Sequence, residues 1–268
     1  MNTIDTKTIS AKFNAAVRSW ADSVSAGLAC VRESLRDWTA THDDGPAPYG
    51  NIMSLVAHLC DHDEALRMWV LRWIAYQLRT PGAKMSTALV FNGGEGSGKT
   101  LFLRYVVSQL FHDETPWIYG RQLQNVFNDW AADGGLVIVD GPFSQAHVAR
   151  MKHYMSSPEV TIHRRSRDSR TIPNTLNFIY QSNADDFSIT GSRRFAVIDV
   201  PPAREKVFYH AVLHEIACGG VDTFRQYLLR TLDMGSFHAG TPMPAPKHLK
   251  AQEDPAVILP KGAVQWSG

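Results

Sequence analysis

Apolar residues recur at three- and four-residue steps through residues 8–39, at Phe13, Ala16, Val17, Trp20, Val24, Leu28, Val31, Leu35 and Trp38. That is the spacing of one face of an amphipathic helix. A break rich in glycine, proline and aspartate, Thr41 to Gly50, interrupts the period. It resumes from about Asn51 to Arg79 through Leu55, Leu59, Leu66, Trp69, Val70, Trp73, Ile74 and Leu78, until Pro81-Gly82 stops it. This stripe of Trp and Leu reads as core. Downstream the pattern changes. Ala88 to Phe91, Leu136 to Val139, Leu176 to Tyr180 and Phe195 to Val200 are short, mostly unbroken apolar runs. Strands buried on both faces of a parallel sheet look like this. Helical stretches are expected between and after them, over about 100–111, 121–132, 144–156, 207–218 and 221–232. Val160 to Pro173 has two β-branched arms around a polar turn, which predicts a β-hairpin. The pattern as a whole is α/β, a parallel sheet flanked by helices. Residues 1–82 read as a small helical N-terminal domain, 83–245 as the main domain, and 246–268 as a loosely ordered tail.

The chemistry starts where the first strand ends. Ala88-Leu89-Val90-Phe91-Asn92 runs into Gly93-Gly94-Glu95-Gly96-Ser97-Gly98-Lys99-Thr100. This is strand, glycine-rich loop with G-x4-G-K-T spacing, then helix. The glycines let successive backbone N–H groups point inward around phosphates. Lys99 would reach the β- and γ-phosphates, Thr100 would offer its hydroxyl to Mg2+, and the helix adds its positive end. The chain is therefore expected to bind ATP with Mg2+. Asp140 closes the second aliphatic strand and would serve as the carboxylate that holds the metal through water. The competing reading is a turn-forming Asp-Gly pair.

Charge and cysteine content narrow the rest. The formal net charge is +1, so any nucleic-acid contact must be a local basic patch. The densest one is the hairpin, where Arg164, Arg165, Arg167 and Arg170 follow His163. A projecting basic hairpin suits phosphate contact; alone, it fits equally well an edge hairpin whose charges deter aggregation. Cys30, Cys60 and Cys218 stand far apart, as in a reducing compartment. No apolar run approaches the roughly 20 residues of a membrane span, and a cytoplasmic protein of a bacterial host is the expectation. His58, Cys60 and His62 are spaced to splay around a helix, and His210, His214 and Glu215 read as helix surface. Asn183, at the tip of the Leu176–Tyr180 strand, could orient an attacking water. Arg193 and Arg194 precede the next strand and could serve a neighbouring subunit's nucleotide as an arginine finger.

In order, these pieces are a phosphate loop, an aliphatic strand ending in Asp140, a basic hairpin, a strand ending in Ser182-Asn183, and Arg193-Arg194-Phe195. Together they resemble superfamily 3 helicases, in particular the C-terminal ATPase region of phage and plasmid primase–helicases. The resemblance runs from about Trp73 to Pro244. It implies an AAA+ core, a hexameric ring with ATP between subunits, and single-stranded DNA gripped in the pore by the hairpin. It also makes Asn183 the polar sensor and Arg193 or Arg194 the finger acting in trans. Two features depart from the family. Gly141 stands where an acidic residue normally follows the strand aspartate, and no primase domain fits in residues 1–80, so either a separate primase or polymerase would be a partner or none is used. The expected function is an ATP-dependent DNA helicase of a phage, plasmid or satellite element. The rival is a hydrolysis-impaired ATP-binding adaptor that assembles on DNA and loads other proteins; an RNA-directed member of the superfamily is a third reading.

Overall fold

The computed structural model describes residues 48–111, 115–142, 144–165, 168–183 and 193–245. The periodic stretch at 8–39, Arg167 and the tail beyond 245 lie outside the described residues. In chain order the elements begin with α1 (Gly50–Leu59), α2 (Glu64–Arg79) and β1 (Ala88–Asn92). Next is α3 (Lys99–Phe102), continued by a π-helical stretch (Leu103–Val107) into α4 (Ser108–Leu110), then β2 (Trp117–Tyr119) and α5 (Gly120–Leu123). A 3-10 turn (Asp129–Ala131) leads to β3 (Leu136–Asp140), α6 (Gln145–Ser156), β4 (Glu159–Ile162), β5 (Arg170–Pro173) and β6 (Asn177–Ser182). The last are β7 (Phe195–Asp199), α7 (Lys206–Ala217), α8 (Gly220–Gln226) and a second π-helical stretch (Tyr227–Thr231).

Five strands form one parallel sheet in the order β2-β3-β6-β1-β7, and β4 and β5 pair antiparallel as a separate hairpin. The unbroken apolar runs follow from this topology. Alternate residues of a strand point to opposite faces, and here both faces are covered. Leu89 and Phe91 of β1, Ile138 of β3, Ile179 of β6 and Ile198 of β7 face one core, shared with α1, α2, α7 and α8. Val90, Val137, Val139, Phe178 and Tyr180 face the other, shared with α6 and the hairpin residues Val160 and Ile162. Helices α1 and α2, which the sequence grouped with residues 1–82, thus contribute Leu55, Trp73 and Ile74 to the same core as the sheet.

Two helical expectations change. The stretch from Asn51 to Arg79 is two helices, because Asp61 and His62 take φ of 49° and 53° and the Asp63 carboxylate then caps α2 through the backbone N–H groups of Ala65 and Leu66. The helix expected over 121–132 is only α5 and a 3-10 turn. Between them, asparagine side chains take over backbone bonding: Asn125 Oδ1 accepts from Phe127 N, and Asn128 bonds the hairpin.

Below the sheet, Lys84 gathers three strands of chain. Its Nζ donates to Tyr154 O at 3.0 Å, Asn174 Oδ1 at 3.0 Å and Leu176 O at 2.7 Å. All three acceptors are neutral, and burial lowers the amine to about 8, against 10.5 when free. An amine depressed in the fold binds its proton more tightly when unfolded, so stability rises with pH between those values. The stability difference between wild type and Lys84→Met should therefore shift in favour of wild type from pH 8 to pH 10.5. Parallel melting curves check this, and a pH-independent difference counts against it.

Candidate nucleotide site and nucleic-acid face

The glycine-rich loop leaves the C-terminal end of β1 and closes on the first turn of α3. Its glycines are required by contacts as well as by dihedral angles. Gly98 sits at φ +94°, and a Cβ there would lie 2.9 Å from Leu55 Cδ1 and 3.0 Å from Tyr209 Cε1. A Cβ on Gly93 would meet Val200 O at 2.7 Å. The loop is thus wedged between α1, α7 and the end of β7, with Gly94, Glu95 and Gly96 at its apex.

Inside the loop, Lys99 is 4% exposed. Its Nζ donates to Gly93 O at 2.7 Å, Gly94 O at 2.8 Å and Ser97 Oγ at 3.1 Å. Burial pulls its amine below the usual lysine range, and the carboxylates of Asp140 and Glu95 oppose that pull without reversing it. A buried cation bonded only to neutral oxygens at a helix N-terminus is a site for an anion. The donor set therefore fits a nucleotide phosphate. For Mg2+ the side-chain oxygens at hand are those of Thr100, Asp140 and Gln181. Among the described residues no cluster of three His, Cys, Asp or Glu could hold a metal alone. A cation here would be coordinated largely by phosphate and water, which is how Mg2+ is commonly held.

The strand carrying Asp140 is not the neighbour of β1. β6 lies between them, and Gln181 sits in register with Phe91 on one side and Asp140 on the other. Its buried amide accepts from Thr100 Oγ1 at 3.3 Å, which makes it the group that joins the phosphate-loop helix to the Asp140 strand. Sequence reasoning passed over Gln181 for Asn183, which is exposed just beyond β6. The available signal was a long polar side chain directly after the apolar run Phe178-Ile179-Tyr180. Gly141 has φ +127°, and a Cβ there would have only Gly120 N nearby, at 3.9 Å. The position has room but a backbone that side chains resist.

Arg193 and Arg194 lie at the opposite end of the sheet. Arg194 O accepts from Ala88 N at the start of β1, a full strand length from the phosphate loop. Arg194 donates through Nη1 to Lys152 O and Ser156 Oγ at the end of α6, while Arg193 is exposed. Neither is brought to this chain's own glycine-rich loop.

The hairpin is anchored by Asn128, which the sequence reading had placed in a helix. Asn128 Oδ1 accepts from His163 N at 2.7 Å, its Nδ2 donates to Thr161 O at 3.0 Å, and its own N–H donates to His163 O at 3.1 Å. The same loop presents Phe127 and Val126, 37% and 67% exposed, and Arg165 lies over the Phe127 ring at 5.4 Å. Nearby in sequence, Arg121 stacks on Tyr119 at 5.5 Å. Arg164 is half-buried, Arg165 and Arg170 are exposed, and His163 Nδ1 bonds Ser169 Oγ at 2.9 Å. Exposed arginine–aromatic pairs are a surface on which nucleobases stack while phosphates are neutralised. Phe127 escaped sequence reading because an exposed Val-Phe pair in a polar segment looks like ordinary amphipathic helix.

Residues 52–217 match the description of the virulence-associated protein E-like domain. No curated protein matches the chain. Solved structures that resemble it include the A form apo structure of the C-terminal region of NrS-1, with a TM-score of 0.58 and 21% identity. A second apo structure of that region gives a TM-score of 0.59 at 20% identity. Each covers 71% of this chain and 48% of the other, so this chain spans about half the length of that region. At this identity the likeness speaks for the shared α/β fold. The family match extends over more than half of the residues, and the chain belongs to the virulence-associated protein E-like domain family.

Proposed function

We propose that this chain is an ATP-driven motor on single-stranded DNA, a helicase subunit in the replication of a phage, plasmid or satellite element, at work in the cytoplasm of a bacterial host. The observation that carries the reading is Lys99: a buried ammonium among neutral oxygens in a glycine-rich loop at a helix N-terminus. Around a bound nucleotide, Lys99 would neutralise the outer phosphates, and Thr100 and Asp140, bridged by Gln181, would hold Mg2+, which supplies charge compensation at the phosphates. An AAA+ core of the superfamily 3 type, assembled as a hexamer, accounts for the placement of Arg193 far from its own loop, where it can reach the nucleotide of an adjacent copy. Asn183 would stand near the γ-phosphate as the sensor. The hairpin residues His163, Arg164, Arg165, Arg167 and Arg170 would grip the strand, with Phe127 beneath Arg165.

Gly141 favours a second reading, an adaptor that binds ATP and DNA but hydrolyses slowly. Hydrolysis and strand displacement, each measured with and without single-stranded DNA, separate the two. DNA-stimulated turnover with displacement supports the motor. ATP-dependent DNA binding without turnover supports the adaptor and rejects the motor.

The grip has its own test. Replacing Arg165 and Arg170 by Ala should weaken single-strand binding and reduce the slope of log affinity against log salt by about 1.4, from about 0.7 per phosphate contact. Titrations at two or more salt concentrations read it. An unchanged slope would move the DNA site elsewhere.

A further inference from the structure

The last turn of α6 is tied in two directions. On one side Arg194 donates to Lys152 O and Ser156 Oγ, so the arginine turn before β7 hangs from this helix end. On the other side the foot of the hairpin is clamped to it. Asn174, which follows β5, donates through Nδ2 to Tyr154 O and Ser157 O and through its backbone N–H to Pro158 O. Asn174 Oδ1 accepts from Lys84 Nζ and Leu176 N, and Lys84 also bonds Tyr154 O. The side-chain amide of Asn174 uses every donor and acceptor it has, and Lys84 uses its three protons. Both legs of the hairpin, at Ser157 and at Asn174, therefore meet α6 within two residues of the Arg194 contact.

We infer that the end of α6 is the joint linking the arginine turn to the DNA hairpin, with Arg193 as the arginine offered to the adjacent copy's nucleotide and Arg194 as the positioning residue. This rests on the reading of a nucleotide shared between copies. A pull on Arg193 by an outer phosphate is passed through the Arg194 side chain to Lys152 and Ser156. From there it reaches Tyr154 and Ser157, and through Asn174 the base of β5. At the hairpin foot the network is saturated and partly buried, so Tyr154, Asn174 and Lys84 cannot shift separately without breaking hydrogen bonds. The DNA grip of one copy then depends on the nucleotide of its neighbour.

The experiment measures the affinity of the full chain for a fluorescent single-stranded oligonucleotide with Mg2+ and either ADP or a non-hydrolysable ATP analogue. The wild-type affinities should differ on the order of tenfold between the two nucleotides. In Ser156→Ala and in Arg194→Gln that ratio should fall toward one, while Ser156→Ala keeps both its binding of a labelled nucleotide and its melting temperature unchanged. Arg194→Lys should regain part of the ratio, since an ammonium can still donate to Lys152 O. Ser156 is exposed, so its variant answers the question even if Arg194→Gln folds poorly. A ratio that persists in Ser156→Ala and Arg194→Gln overturns the inference, and so does a wild type whose DNA affinity ignores the nucleotide. Failure of the wild type to bind any nucleotide sinks the ATP reading itself, and the inference with it.

Discussion

On the proposed motor reading, Lys99→Ala should lose ATP hydrolysis by a factor on the order of 10^2–10^3, the penalty for removing one preorganised donor from a developing anion. The same substitution should leave the fold no less stable. Both effects have one source. The ammonium is buried, its partners are Gly93 O, Gly94 O and Ser97 Oγ, and burial already lowers its affinity for the proton. A depressed lysine means that the folded chain carries the charge at a cost, and removing it relieves that cost while leaving carbonyls that can turn to water. Hydrolysis, nucleotide titration and melting curves on one preparation measure all of this. Retained hydrolysis would eliminate Lys99 as the phosphate-binding group. A large drop in melting temperature would make Lys99 a structural residue instead.

Glu215→Ala should destabilise the chain by about 2–4 kcal/mol, several degrees of melting temperature. Read from sequence, Glu215 belonged with His210 and His214 on a helix surface. It is 3% exposed instead, while both histidines are exposed. Its Oε1 accepts from Ile52 N at 2.7 Å, and its Oε2 accepts from Asn51 N at 3.0 Å and Asn51 Nδ2 at 3.1 Å. A carboxylate from α7 thus caps the N-terminus of α1, satisfying backbone donors that no residue of α1 serves and favouring the positive end of the helix. Truncation strands those donors. It should also weaken nucleotide binding, because Leu55 of the same helix packs where Gly98 turns. Glu215→Gln, which keeps one carbonyl oxygen and loses the charge, should fall between wild type and alanine. A cost below about 0.5 kcal/mol for the alanine variant would mean that water caps α1 equally well.

What the sequence disclosed and what it hid divide along a physical line. Strands with both faces covered announce themselves as apolar runs, and the glycine-rich loop does so through glycines that its backbone path requires. Both are local signals, and β1, β3, β6, β7, the hairpin and the loop were legible for that reason. The order of strands is not local. That β6 stands between β1 and β3, giving Gln181 its place beside Thr100, follows from how helices cover the two faces, and no residue spacing encodes it. The Glu215 cap spans 163 residues to Ile52, and the hairpin anchor spans 35 from His163 to Asn128. Each was readable only as a polar residue in an apolar setting. The region of 121–132 misled for the opposite reason: its periodicity is real, but Asn125 and Asn128 bond backbone groups in place of a continuous helix.

Gly141 sets a limit on how this protein can change. The acid that the helicase resemblance would put there is one base substitution away from a glycine codon, so chance supplies it often. Yet φ of +127° makes any side chain at 141 strained, on the order of 1–3 kcal/mol, whatever space surrounds it. A selection for faster turnover would find Asp or Glu at position 141 early and discard it unless the turn through Pro142 were rebuilt in the same step. Under the motor reading, a gain in turnover through position 141 is a matter of backbone first and side chain second, and variants that only add the acid should fail.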